Sequence, residues 1–287
     1  MKKLFMAVIA LMMTISTSAQ FYIYFSDGTV AKVDSISMIA PAEPEAVEGV
    51  FSISTSKQVT FSPGNLQYHP ANNEWRFAES QLDYIGNANG NISSTYNGWI
   101  DLFGWSTSST NFGVSTSTNY NDYSGSFVDW GTNKIGNDAP NTWRTLTYDE
   151  WNYLLNNRNN ASSLCGVAQV NGVNGLIFLP DNWTCPAGVT FKSGFYSSDG
   201  DLYYAAYQAF TSDQWSKLEA AGAIFLPAAG SRYGSGVGNV QFDGSYWSAS
   251  EDDSGYAYSL YFYSFEAYMS LYNRSNGLSV RLVKDLQ

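Results

Sequence analysis

Three sets of residues in this 287-residue chain have side chains capable of chemistry. The first is a lone histidine, His69, followed by Pro70 in a stretch that reads as loop. Zinc centres and histidine-based triads need partners that one imidazole cannot supply, so His69 reads as surface or structural. The second is a pair of cysteines, Cys165 and Cys185. In an exported chain they are candidates for a disulfide, which would stabilise by roughly 3 kcal/mol through loop closure. Two buried free thiols are the alternative. The third set consists of adjacent acids. Asp149-Glu150 belongs to a helix cap, and Asp252-Asp253 lies in a Glu-Asp-Asp-Ser-Gly turn that could contact a cation or ligand. No phosphate loop, nucleophile elbow or dinucleotide fingerprint is present, and no cofactor or metal is expected.

The strongest signal is aromatic. Ten of the 27 residues from Tyr246 to Tyr272 are Tyr, Trp or Phe, and no Lys or Arg occurs between Arg232 and Arg274. Strands buried on both faces favour Val, Ile and Leu. Tyrosine interleaved with Ser, Asp, Asn and Gly is the composition of binding loops, where rigid rings supply area and small polar groups adapt. The candidate ligand-binding set is therefore Glu251, Asp252, Asp253, Tyr256, Ser259, Tyr261, Tyr263, Phe265, Tyr268, Ser270, Tyr272 and Asn276. Packing of a structural sheet face is the competing explanation.

These residues need elements to position them. Ala257 to Tyr263 alternates, with Leu260 and Phe262 on one face and Ser259, Tyr261 and Tyr263 on the other. Asn276-Gly277 reads as a hairpin turn, and Leu278 to Val283 as the closing strand of a C-terminal β-meander. Two helices are expected. Thr147 with Glu150 and Thr211 with Gln214 are capping boxes, followed by Trp151, Leu154 and Leu155 and by Trp215, Leu218 and a Gly222 stop. Gly175–Pro180 and Ala223–Pro227 are similar strands that follow them. Residues 86–141 are rich in Gly, Asn, Ser and Thr. Trp99, Phe103, Trp105, Phe112 and Trp130 punctuate that stretch, so a long loop pinned by aromatic anchors is expected. Arg281 should be buried, pinning that loop or the Trp247 turn.

At the other end, Lys2-Lys3, the apolar run from Leu4 to Ile15 and Thr17-Ser18-Ala19 read as a signal peptide over residues 1–19. Residues 20–40 read as a small β-hairpin around Asp27-Gly28, residues 41–49 as a linker, and residues 50–287 as the main domain. The class is α+β. The protein is expected to be exported, to the periplasm, the cell surface or the medium, with no membrane-spanning segment after cleavage. A net charge of −11 argues against a nucleic-acid partner.

Several motifs together resemble a known group. They are Val59-Thr-Phe-Ser-Pro-Gly-Asn-Leu-Gln67, Trp99-Ile-Asp-Leu-Phe-Gly-Trp105, Trp143-Arg-Thr-Leu-Thr147, Phe225-Leu-Pro-Ala-Ala-Gly230, Tyr246-Trp-Ser-Ala-Ser250 and Gly277-Leu-Ser-Val-Arg-Leu-Val283. The chain resembles exported bacterial proteins with a C-type-lectin-like domain, including the major paralogous domain family and the variable proteins of diversity-generating retroelements. The formylglycine-generating enzyme is more distantly similar in fold. The resemblance implies a non-catalytic display scaffold whose last meander contacts a protein or glycan ligand on another cell, a phage or a host surface. A structural adhesin or pilus-tip component is the alternative, and an enzyme of the formylglycine-generating type a more remote one. Retroelement variable proteins diversify chosen codons; the absence of Lys, Trp and Gln from residues 251–273 fits that pattern, whereas Glu251, Glu266 and Met269 do not. The calcium-site motifs of true C-type lectins are missing.

Overall fold

The computed structural model describes residues 21–24, 30–33, 48–196, 204–252 and 255–286. The chain divides into two units, residues 1–42 and 43–287. In the first, strands Phe21–Tyr24 and Val30–Val33 pair antiparallel, with Phe21 opposite Val33. The Asp27-Gly28 turn, the signal segment and residues 41–47 of the linker lie outside the described residues.

The second unit is α+β, with mostly antiparallel sheets and few helices. A four-stranded sheet closes it, in the order Phe51–Ser52, Gln58–Phe61, Leu282–Asp285, Arg144–Thr145. The last of these strands in sequence is therefore internal to that sheet, with Val283 opposite both Phe61 and Arg144. Arg144 straps this sheet to the first helix, with 2.7 Å contacts to Glu150 and to Asp285.

A second four-stranded sheet is built on the hairpin Cys165–Val170 and Val173–Phe178. Its two edges are Ala209–Phe210 and Ile224–Pro227. The two similar sequence segments turn out to be neighbours here, with Phe225 opposite Ile177 and Leu226 opposite Leu176.

Both capping boxes form. Thr147 caps helix Tyr148–Asn152 and Thr211 caps helix Ser212–Ala220, each with its reciprocal Glu150 or Gln214 bond. The first helix loosens into a π-turn over Tyr153–Asn157 before ending. A third short helix, Tyr204–Tyr207, carries no capping signal in the sequence.

Residues 86–141 form no long element. Short 3-10 turns alternate with irregular chain. Trp105 and Trp130 are fully buried, as a pinned loop requires. The pinning is reciprocal: Trp247 Nε1 donates to Phe103 O at 2.7 Å, and Trp105 Nε1 donates to Ser248 O at 3.0 Å. Asn89 and Asp101 brace the interior of the loop, the Asn89 amide donating to Asp101 Oδ1 at 2.8 Å.

Four expectations are corrected. His69 is not in a loop; it ends strand Leu66–His69, is buried, and packs edge-on against Trp99. Pro70 suggested a loop because it cannot continue a ladder, but it opens the turn that follows the strand. No disulfide forms: Cys165 faces the core from its strand, while Cys185 sits exposed in a loop beside Val189 O. Burial pushes the Cys165 thiol up to about 12, so it stays protonated.

Asn276-Gly277 is not a hairpin. A Cβ at Gly277 would lie 2.8 Å from the Arg232 side chain, so this glycine serves a close approach rather than a turn. The chain then leaves the meander and runs through Leu278, paired with Phe103, to the terminal sheet. Finally, Arg281 is buried, but its partner is Gln81, which accepts from Nη2 at 2.7 Å. Gln81 also donates to Glu219 and Ala223 O, so Arg281 pins the helix and strand around Ala223. The long loop is held instead by Arg232, whose Nε and Nη2 donate to Leu102 O. Burial pulls Arg281 down to about 10, which leaves it charged at neutral pH.

Candidate functional site

The meander consists of three antiparallel strands, Gly244–Glu251, Tyr256–Tyr263 and Glu266–Asn273. Register decides which side chains share a face. Tyr261 opposes Tyr268, Ser259 opposes Ser270, Ala257 opposes Tyr272 and Tyr263 opposes Glu266. Tyr246, Leu260 and Phe262 face the other way, into the main core, where Ala267 and Met269 pack against them. Gly244 lets the first strand lie against the Phe262 ring, which a Cβ there would approach to 2.3 Å. The helix of residues 148–152 covers this inner face, with Tyr148 and Tyr258 rings 4.6 Å apart.

The outer face gathers aromatic rings. Tyr261 lies at the centre, 5.3 Å from Tyr268, 5.8 Å from Tyr263 and 6.2 Å from Tyr272. Phe265 extends the cluster from the turn, 5.7 Å from Tyr263 and 5.8 Å from Tyr196. These spacings suit edge-to-face contacts, so the rings hold one another in place while remaining partly open to solvent. Tyr268 is 41% exposed.

Beside the Tyr261 hydroxyl is Asp243, one residue before the first strand and 3% exposed. Asn239 Nδ2 donates to its Oδ2 at 2.9 Å, and the Tyr261 hydroxyl lies 3.5 Å from the same oxygen. Its Oδ1 is buried with no hydrogen-bond partner. Burial raises this carboxyl to about 6, against the Asn239 and Tyr261 bonds that lower it. It is thus mostly ionised at neutral pH. Burial also raises the Tyr261 and Tyr272 phenols, and the Glu266 bond raises Tyr263, so all three remain protonated donors.

The twelve expected residues do not form one surface. Tyr261, Tyr263, Tyr268, Ser270 and Tyr272 share the outer face, with Phe265 beside it. Ser259 points to that side but is fully buried between Trp247 and Ser270, and its hydroxyl has no partner, so it is unavailable as a contact. Tyr256, 42% exposed, has the opposite parity and lies on the reverse face. Glu251, exposed at the end of its strand, forms an ion pair with Arg274. The Asp252 carbonyl also accepts from Arg274, and Asp253 is outside the described residues. Asn276, half-buried, donates from its backbone to Asn273 O in the turn that follows. Sequence reasoning missed Asp243, Tyr196 and Glu266. Glu266 accepts the Tyr263 hydroxyl at 2.7 Å. Asp243 is legible only in the register: Ser245 opposes Tyr261, and two places further back Asp243 falls on the tyrosine face.

Elsewhere, a cavity of about 300 Å³ is lined by Leu155, Ala161, Cys165, Phe195 and Ala267. Among the described residues, no group of three His, Cys, Asp or Glu side chains could hold a metal ion, and no helix is long and apolar enough to cross a membrane.

The arrangement is a tyrosine-faced antiparallel meander mounted on an α+β core. A family profile described as a domain of unknown function, DUF8237, matches residues 208–283, which takes in the second capped helix, a hairpin of strands Ser231–Tyr233 and Gly236–Gly238, and the whole meander. No curated protein and no solved structure matches the chain.

Proposed function

We propose that this is an exported, non-catalytic ligand-binding protein of the C-type-lectin-like kind, which displays the outer face of its final meander to a protein or glycan on another surface. The carrying observation is the cluster of Tyr261, Tyr263, Tyr268 and Tyr272. Tyr261, Tyr263 and Tyr268 lie on the face opposite Leu260 and Phe262 and stay partly open to solvent, while Tyr272 packs at one end of that face against the core around Trp247. Tyrosine loses little side-chain freedom on binding and offers both apolar area and a hydroxyl. The aromatic, partly exposed patch on a rigid sheet suits recognition better than chemistry, since no nucleophile and base are brought together there.

The test compares the full chain with a Tyr261→Ala, Tyr263→Ala, Tyr268→Ala variant on a random-peptide display library and a glycan array. The expected result is a set of binders that need the three rings, with the melting temperature of the variant near that of the parent. Collapse of the variant, or binders indifferent to the substitutions, would overturn the assignment.

A further inference from the structure

Resting on that reading of the outer face, we propose that the tyrosine cluster receives a cationic side chain, lysine or arginine, from a partner protein. Three observations carry this. The rings of Tyr261, Tyr263, Tyr268 and Tyr272 present π-faces in one cluster, and such faces attract an ammonium or guanidinium group. At the Tyr261 hydroxyl lies a carboxylate, Asp243, that is nearly fully buried and has one oxygen without a partner. And no cation of this protein answers it: among the described residues, neither Asp243 nor Glu266 has an ion-pair partner, and residues 233–273 contain no Lys or Arg.

A buried carboxylate held only by Asn239 and Tyr261 keeps an unbalanced negative charge in a poorly polarisable setting. Its field acts on the ring cluster from the Tyr261 hydroxyl, so a cation docked there meets the π-faces and the charge together. Glu266 at the rim, bound by Tyr263, adds a second negative charge of lesser effect because it is exposed to solvent. An anionic or purely apolar partner would leave the Asp243 charge uncompensated and further desolvated. Protein side chains are favoured over a free small cation because the cluster is a broad sheet face, suited to a side chain delivered by a larger surface.

The experiment measures binding of a fluorescein-labelled peptide with four arginines spaced by serines, beside the same peptide with glutamine at those positions. Three single variants of the full chain are compared with the parent: Asp243→Asn, Tyr268→Leu and Glu266→Gln. The parent should bind the arginine peptide and not the glutamine peptide. Asp243→Asn and Tyr268→Leu should each weaken binding by about tenfold, and Glu266→Gln by no more than about threefold. If Asp243→Asn fails to fold, Tyr268→Leu, which keeps an apolar side chain but loses the π-face, decides alone. Equal binding of the two peptides overturns the proposal, and so does an equal loss in the Glu266→Gln and Asp243→Asn variants, which would mean diffuse attraction. Ring-dependent binders from the library and array that are neutral or acidic, and indifferent to Asp243→Asn, would overturn the cation and leave the binding face standing. Absence of ring-dependent binders would overturn the face itself.

Discussion

The two faces of the meander use the same residue type for opposite ends. On the inner face Tyr246 is fully buried, stacked 6.2 Å from Phe262, and its hydroxyl donates to Pro227 O. On the outer face Tyr261 touches three other tyrosines, and its hydroxyl reaches toward a carboxylate with an unused oxygen. The inner tyrosine is held by backbone and cannot be released without unfolding. The outer ones are held by each other. A composition count cannot separate them; strand register can.

The comparison breaks most visibly on the inner side. Phe262→Ala should cost about 3–5 kcal/mol, because it empties a packed site between Gly244 and Ala267. Denaturant unfolding checks this, and a loss below about 1 kcal/mol would mean that the inner face is not the core-bearing one.

A pH titration of stability sharpens the contrast between polar groups. Asp101 and Asp243 are both raised by burial to about 6. Each folded pKa exceeds its unfolded value, so the folded state binds more protons between about pH 4 and 6. Stability should therefore fall as pH rises through that window. Asp243→Asn should flatten part of this decline, leaving the share due to Asp101, which is bonded to Asn89 and to the Ile85 N–H, and to Asp129, which burial also raises. Beside Asp243 stand Asn239 and Tyr261, while Tyr204 and Tyr272 feel its charge. None of these phenols titrates in that window. Chemical denaturation at several pH values measures the slope; an unchanged slope in the variant would show that Asp243 is not the group responsible. The smallest effect is expected at the rim: Tyr268→Ser should change stability by no more than about 0.5 kcal/mol, as for other exposed positions, by the same measurement.

Local signals in the sequence were legible where the deciding partners were near in the chain. Thr147 with Glu150 and Thr211 with Gln214 marked both longer helices, since a capping box is complete within four residues. Alternation placed Leu260 and Phe262 opposite Tyr261 and Tyr263 for the same reason. What failed depended on distant contacts. Asp243-Gly244 looks like an ordinary turn dipeptide, and nothing local tells that Tyr261 and Tyr204 lie against it. Gly277 looked like a turn glycine because its need, room for Arg232, comes from residues far away in sequence. Ser259 has the right parity for the site, yet Trp247 opposite it seals it off. Tyr256 was a different error, since its even position already assigned it to the reverse face.

The placement of Leu282–Asp285 between Gln58–Phe61 and Arg144–Thr145 bears on how this domain comes into being. An internal strand of the sheet is made long after both of its neighbours. Until it arrives, Gln58–Phe61 has only Phe51–Ser52 to pair with and Arg144–Thr145 has no ladder to join, so the sheet cannot close on a growing chain. Such a distant pairing makes folding slow and late.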